Sequence, residues 1–135
     1  MEIIKNPKRR LSLILILVAI HSIFVGIGLI IRPAELMQLF GFGKCYERFF
    51  PTQGGVFHIV MAVGYLMAAY NVDQYRCLTI FSIIVKMMAT VFLFTYFIVV
   101  EQIWLVLFSG ISDCLMGIVI YLALASYLKS LNKQN

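Results

Sequence analysis

The sequence predicts an all-α fold: an integral membrane four-helix transmembrane bundle with a short interfacial helix in the first loop. Three observations lead there. The 135-residue chain is 62% hydrophobic and only 13% charged, whereas soluble domains are about half apolar and a quarter charged. Its apolar residues gather in four runs, 11–31, 55–70, 77–100 and 103–127, close to the roughly 20 residues that cross a hydrocarbon core. Backbone groups in hydrocarbon must be paired within their own segment, so such runs are helices. The chain reads as a single four-span domain, 1–135, with no length left for a soluble one.

The first span, 11–31, is interrupted by His21, Ser22, Gly26 and Gly28. Lys5, Lys8, Arg9 and Arg10 lead into it, a layout shared with signal peptides. The apolar stretch is too long for one, however, and a small-x-small site occurs deep inside it, at Gly26-Ile27-Gly28, so the segment is expected to be retained.

In the loop 32–54, Pro33 suits a first helical turn. Leu36, Met37, Leu39 and Phe40 recur at helical spacing before Gly41, a C-capping residue. This predicts an amphipathic helix over 33–40, lying in the interface. Gly41-Phe42-Gly43 lacks the glycine pattern of a phosphate loop. Phe49, Phe50 and Pro51 are expected to re-enter the interface before Gln53-Gly54-Gly55 opens the second span, 55–70. Asn71-Val72-Asp73-Gln74 ends that span, and Glu101-Gln102 makes a tight hairpin between the third and fourth.

The net charge of +5 sits at the span ends and forms no basic face, which argues against a nucleic-acid partner. Flanking basic residues are topology signals and anionic-lipid contacts. Seven of them (Lys5, Lys8, Arg9, Arg10, Arg76, Lys129, Lys133) fall on one side and three (Arg32, Lys44, Arg48) on the other. Both termini are therefore expected in the cytoplasm, with Cys45 outside and Cys77 near the cytoplasmic face. Cys45, Cys77 and Cys114 have neither CxxC nor metal-ligand spacing, and Cys114 reads as a small buried hydrophobe.

Each span carries one ionisable residue near its middle: His21, His58, Lys86 and Asp113. Such groups are expensive in hydrocarbon and mark functional pathways by default. With about 1.5 Å of rise per residue, they sit roughly 15, 18, 12 and 20 Å from the cytoplasmic ends of their spans. Companions accompany them at helical spacing: His58, Ala62, Tyr65 and Ala69; Thr79, Ser82, Lys86 and Thr90; Ser109, Asp113, Gly117 and Tyr121. On the first span Leu17, His21 and Gly28 share a face, beside a small-xxx-small pair of Ser22 and Gly26 that favours close helix approach. These stripes are expected to face inward.

The candidate ligand-binding or proton-linked residues are therefore His21, His58, Tyr65, Lys86, Asp113 and Tyr121; no catalytic residue is assigned. Histidine titrates near neutrality and buried lysine can lose its proton, which suits proton-linked chemistry or a polar headgroup. A metal is disfavoured by the cationic lysine beside two histidines and one carboxylate, and haem has two histidines and nothing else in its favour. Three readings follow. The leading one is a pocket for a lipid-like or quinone-like molecule. The second is a structural or assembly subunit in which Lys86 and Asp113 fix helix packing. The third is a membrane enzyme moving protons on an amphipathic substrate. Beyond the lipid bilayer, a membrane-protein partner or a second copy of the chain remains open.

The basic start, the long first span, Arg32-Pro33 leading to Leu39-Phe40-Gly41, Gly54-Gly55 and the Tyr-Leu-x-Ala-Ala stretch from Tyr65 resemble the DoxX-like group of small bacterial membrane proteins. The resemblance implies an inner-membrane protein, in some cases associated with quinone-linked redox partners, and carries no catalytic residue onto this chain. Four-helix sterol-isomerase-type proteins are similar at the level of fold alone.

Overall fold

Five helices make up the described chain: α1 Pro7–Ile31, α2 Ala34–Leu39, α3 Phe49–Tyr70, α4 Arg76–Val99 and α5 Trp104–Asn132. The structure, a computed structural model, describes residues 6–32, 34–42 and 48–132, apart from the side chains at 34 and 36. Pro33, Gly43, Lys44, Cys45, Lys5 and Lys133, which entered the sequence reading, lie outside them. Four helices, α1, α3, α4 and α5, are long and apolar enough to cross a membrane.

Local chemistry explains the helix ends. The Asn6 side chain accepts from the backbone N–H groups of Lys8 and Arg9, and Pro7 occupies the first helical position. An Asn cap followed by proline satisfies groups that the helix itself cannot. This carries α1 back to residue 7, before its apolar stretch begins. α2 ends as expected at Gly41: it takes φ +92, its N–H donates to Gln38 O, and the N–H of Phe42 donates to Met37 O. Those two bonds are the Schellman arrangement that favours glycine.

α3 corrects the expectation of a span opening at residue 55. Phe49, Phe50 and Pro51 form its first turn, continuous with the span. Proline is tolerated there because first-turn N–H groups lack helical acceptors anyway. α5 extends to Asn132, beyond the predicted 127, because Leu128 and Leu131 still pack on the core. α4 lies within one residue of its predicted span.

Each long helix packs on two others, in the ring order α1, α3, α4, α5. The α1–α3 and α4–α5 contacts are the most extensive. Three rungs set the antiparallel α1–α3 register. Ser12 Oγ donates to Ala69 O at 2.7 Å, and ten residues further along α1, Ser22 Oγ donates to His58 O at 3.1 Å. Beyond them Gly26 meets Gly55 so closely that a Cβ on Gly26 would lie 2.7 Å from the Gly55 carbonyl oxygen. On the α4–α5 side, Gly110 faces Leu93 and Phe94, and Gly117 faces Lys86 and Met87.

The apolar core occupies the half of the bundle nearer the termini, built on Leu11, Leu15, Tyr65, Ile120, Leu124 and Tyr127. α4 contributes no apolar residue to the buried set: its buried residues are Thr79, Ser82, Lys86 and Thr90. Large apolar side chains such as Phe24, Phe92 and Leu115 point outward instead. Water would penalise this distribution, whereas hydrocarbon favours it.

Candidate functional site

Lys86 on α4 and Asp113 on α5 face each other across the helix pair, with Nζ 2.5 Å from Oδ1 and side chains only 3% and 9% exposed. Gly117, one turn along α5 from Asp113, packs against the same stretch of α4, where a Cβ would lie 3.2 Å from Met87 Sδ and 3.4 Å from the Lys86 Cβ. Thr90 Oγ1 donates to the Lys86 carbonyl oxygen, so the helix around the lysine supplies its own side-chain hydrogen bond. The ammonium also lies 5.8 Å from the centre of the Tyr65 ring on α3, within cation–π range. Three helices thus surround one charge.

The histidines complete the surroundings. His58 stacks its polar contacts on Ser22: Ser22 Oγ lies 3.3 Å from His58 Nδ1 and donates to the His58 carbonyl oxygen. A serine has a single hydroxyl proton. With that proton on the carbonyl, Nδ1–H is the donor to Ser22 Oγ. His21 and His58 are both partly buried and both within electrostatic reach of Lys86 and Asp113. His21 Nδ1 is buried and has no hydrogen-bond partner among the described residues, as is Thr79 Oγ1.

Of the six residues singled out from the sequence, Lys86, Asp113 and Tyr65 come together as a buried unit, with His58 and His21 around them. Tyr121 does not join them: it is 59% exposed on the outer face of α5. The expected stripe stepped strictly by four, and each step of four turns about 40° past one full helical turn. Over Ser109 to Tyr121 the drift reaches about 120°. The buried residues Val106, Gly110, Asp113, Gly117, Ile120 and Leu124 alternate steps of four and three, and Ala123 and Tyr127 are buried beside them.

α1 shows a related correction. Leu11, Leu15, Val18, Ser22 and Gly26 are its inward face, whereas Leu17 is 56% exposed and Gly28 opens onto empty space. His21 therefore stands at the edge of the α1 interface, and the Ser22–Gly26 pair takes the centre.

The chain matches no family model, no curated protein and no solved structure. The site's chemistry must carry the functional reading. Among the described residues no three His, Cys, Asp or Glu side chains gather as a metal-ligand set.

A second polar cluster escaped the sequence reading. Asp73, in the α3–α4 connection, accepts from Lys8 Nζ at 2.5 Å and from the hydroxyl of Tyr127. It ties the beginning of α1 and the last turns of α5 to the same loop. The buried register of α5 already reaches Tyr127 three residues after Leu124, which is the signal that could have found it.

Proposed function

We propose that the chain is a small integral membrane protein whose central polar cluster receives the head of a lipid-like or quinone-like molecule, in an inner membrane with both termini cytoplasmic. One observation carries this reading: His21 Nδ1 is buried without a partner, beside a buried charge pair. Leaving a polar group in that state costs about 1–3 kcal/mol. A carbonyl or hydroxyl head that hydrogen-bonds it offsets the loss. An apolar groove of about 240 Å³ between α1 and α5, lined by Leu17, Val18, Leu115 and Met116 among others, ends one helical turn from His21. It supplies a course for an apolar tail. The resemblance to DoxX-like proteins points the same way, toward quinone-linked redox or lipid metabolism.

The test is binding of decylubiquinone to the purified full-length chain, read by thermal stabilisation and by competition with a lipid of uncharged head. The reading expects saturable stabilisation in wild type and its loss in His21→Leu, which keeps the volume apolar and removes the unpartnered nitrogen. Equal stabilisation of both proteins would overturn it.

A second reading, of a structural or assembly subunit, is favoured by one specific observation. Lys86 and Asp113 satisfy each other at 2.5 Å and need no ligand to do so. Such pairs can be kept for packing specificity without adding stability.

A further inference from the structure

At the end of the bundle that carries the termini, a groove of about 530 Å³ runs between the start of α1 and the end of α3. Lys8 and Arg9 stand at one end of its lining, Leu13 and Ile16 continue it along α1, and Ala69 and Tyr70 close it from α3. The groove is thus graded along its length, cationic where the apolar belt begins and apolar further in. Leu13 is 44% and Ile16 36% exposed, and Tyr70 is 88% exposed at the rim. An aromatic ring at this level is the usual mark of the boundary between headgroups and acyl chains.

The two cations differ. Lys8 Nζ is held by Asp73, which cancels its charge at short range. Arg9 has no acidic partner among the described residues, and its backbone N–H is already taken by the Asn6 side chain. The unneutralised charge at the groove mouth is therefore the Arg9 guanidinium, a planar donor suited to two phosphate oxygens at once. Arg10 follows directly in sequence but lies about 100° further round the helix and is not part of the groove lining.

We propose that this groove is a site for one anionic phospholipid, its phosphate on Arg9 and one acyl chain laid past Ala69 and inward along Leu13 and Ile16. The charge gradient selects the occupant. A zwitterionic lipid brings its own cation to the phosphate, and a free anion leaves the apolar part of the groove unused. The site stands apart from the His21 cluster, which lies three turns further along α1, and does not depend on what that cluster binds.

Native mass spectrometry of the full-length protein, titrated with phosphatidylglycerol or phosphatidylcholine of matched chains, tests the assignment. Wild type should take up the first phosphatidylglycerol several-fold more tightly than phosphatidylcholine. A juxtamembrane cation contributes about 1 kcal/mol to an anionic-lipid contact, so Arg9→Gln should weaken phosphatidylglycerol about fivefold and leave phosphatidylcholine unchanged. Arg10→Gln has the same change in net charge and should leave the first phosphatidylglycerol constant near wild type. Equal effects of the two substitutions would reduce the site to diffuse attraction by a basic flank and overturn the proposal. Equal affinity of wild type for the two lipids would do the same, as would displacement of phosphatidylglycerol by equimolar inorganic phosphate. Matching helical content by circular dichroism in both variants keeps a folding defect from imitating the expected result.

Discussion

Lys86 and Asp113 are 27 positions apart in sequence and 2.5 Å apart in space, and neither side chain is more than 9% exposed. The pair satisfies itself only while both members are present. Removing one partner of a buried pair costs about 3–5 kcal/mol in soluble proteins, and less in a membrane, where snorkelling and water defects relax the penalty. Asp113→Asn and Lys86→Met should each lower the melting temperature in detergent. The double variant should recover much of the loss, because no uncompensated charge remains. If both single variants melt with wild type, the pair contributes nothing to the bundle.

Backbone proximity at Gly26 and Gly55 makes a second prediction. A Cβ on Gly26 would stand 2.7 Å from the Gly55 carbonyl oxygen and 2.9 Å from Ile59 Cγ1, whereas one on Gly28 would meet nothing within 4 Å. Overpacking of this kind costs about 1–3 kcal/mol. Gly28→Ala removes a glycine from a helix interior and should be neutral or stabilising by up to about 1 kcal/mol. Unfolding of the two alanine variants side by side measures the contrast. Equal stability would mean that α1 and α3 separate without loss at this level.

These two contacts also separate what the sequence displays from what it hides. Four long apolar runs and a wholly polar α4 stripe of Thr79, Ser82, Lys86 and Thr90 are visible because hydrocarbon leaves few ways to arrange them. Gly41 is visible because its positive φ suits glycine. The faces of α1 and α5 are harder. Choosing Leu17–His21 over Ser22–Gly26, or extending a stripe to Tyr121, turns on a rotation of about 100° per residue that one sequence constrains weakly. The start of α3 was hidden for another reason: Pro51 looks like a break, and is one everywhere except in the first helical turn.

Ser22 reaches His58 with both of its hydrogen-bonding capacities, so Ser22→Ala should affect two groups at once. Interhelical hydrogen bonds in membranes contribute about 0.6 kcal/mol on average and up to about 1.7. Ser22→Ala should fall in the upper part of that range, because the loss also frees the His58 ring. The combined Ser22→Ala, His58→Leu variant should be less destabilised than the sum of the two single changes. Strict additivity would show that the two side chains act independently.

Asp73 holds two partners of different standing. Lys8 is half exposed, and exposed ion pairs contribute about 0–1 kcal/mol. Tyr127 is 2% exposed and donates to the same carboxylate, and hydrogen bonds to charged groups contribute about 1.5–3 kcal/mol. Tyr127→Phe should therefore destabilise more than Lys8→Met, and raising the salt concentration should diminish the Lys8 effect alone. The reverse order would place the tie between helices in the ion pair and not in the tyrosine.

Orientation can be read from one thiol. Cys77 is exposed in the first turn of α4 and Cys114 is half-buried next to Asp113, deep in α5. Thiol alkylation proceeds through the thiolate, a form that water at a span end supports and hydrocarbon does not. In a variant with Cys45→Ser and Cys114→Ser, Cys77 is the single reporter. Cytoplasmic termini place the start of α4 on the same side as Lys8, Arg9 and Lys129, as the excess of basic residues there favours. A membrane-impermeant maleimide added to spheroplasts should leave Cys77 unlabelled until the membrane is opened, and then label it fully. Labelling of intact spheroplasts would reverse the proposed orientation while leaving the bundle, its ring order and the Lys86–Asp113 pair untouched.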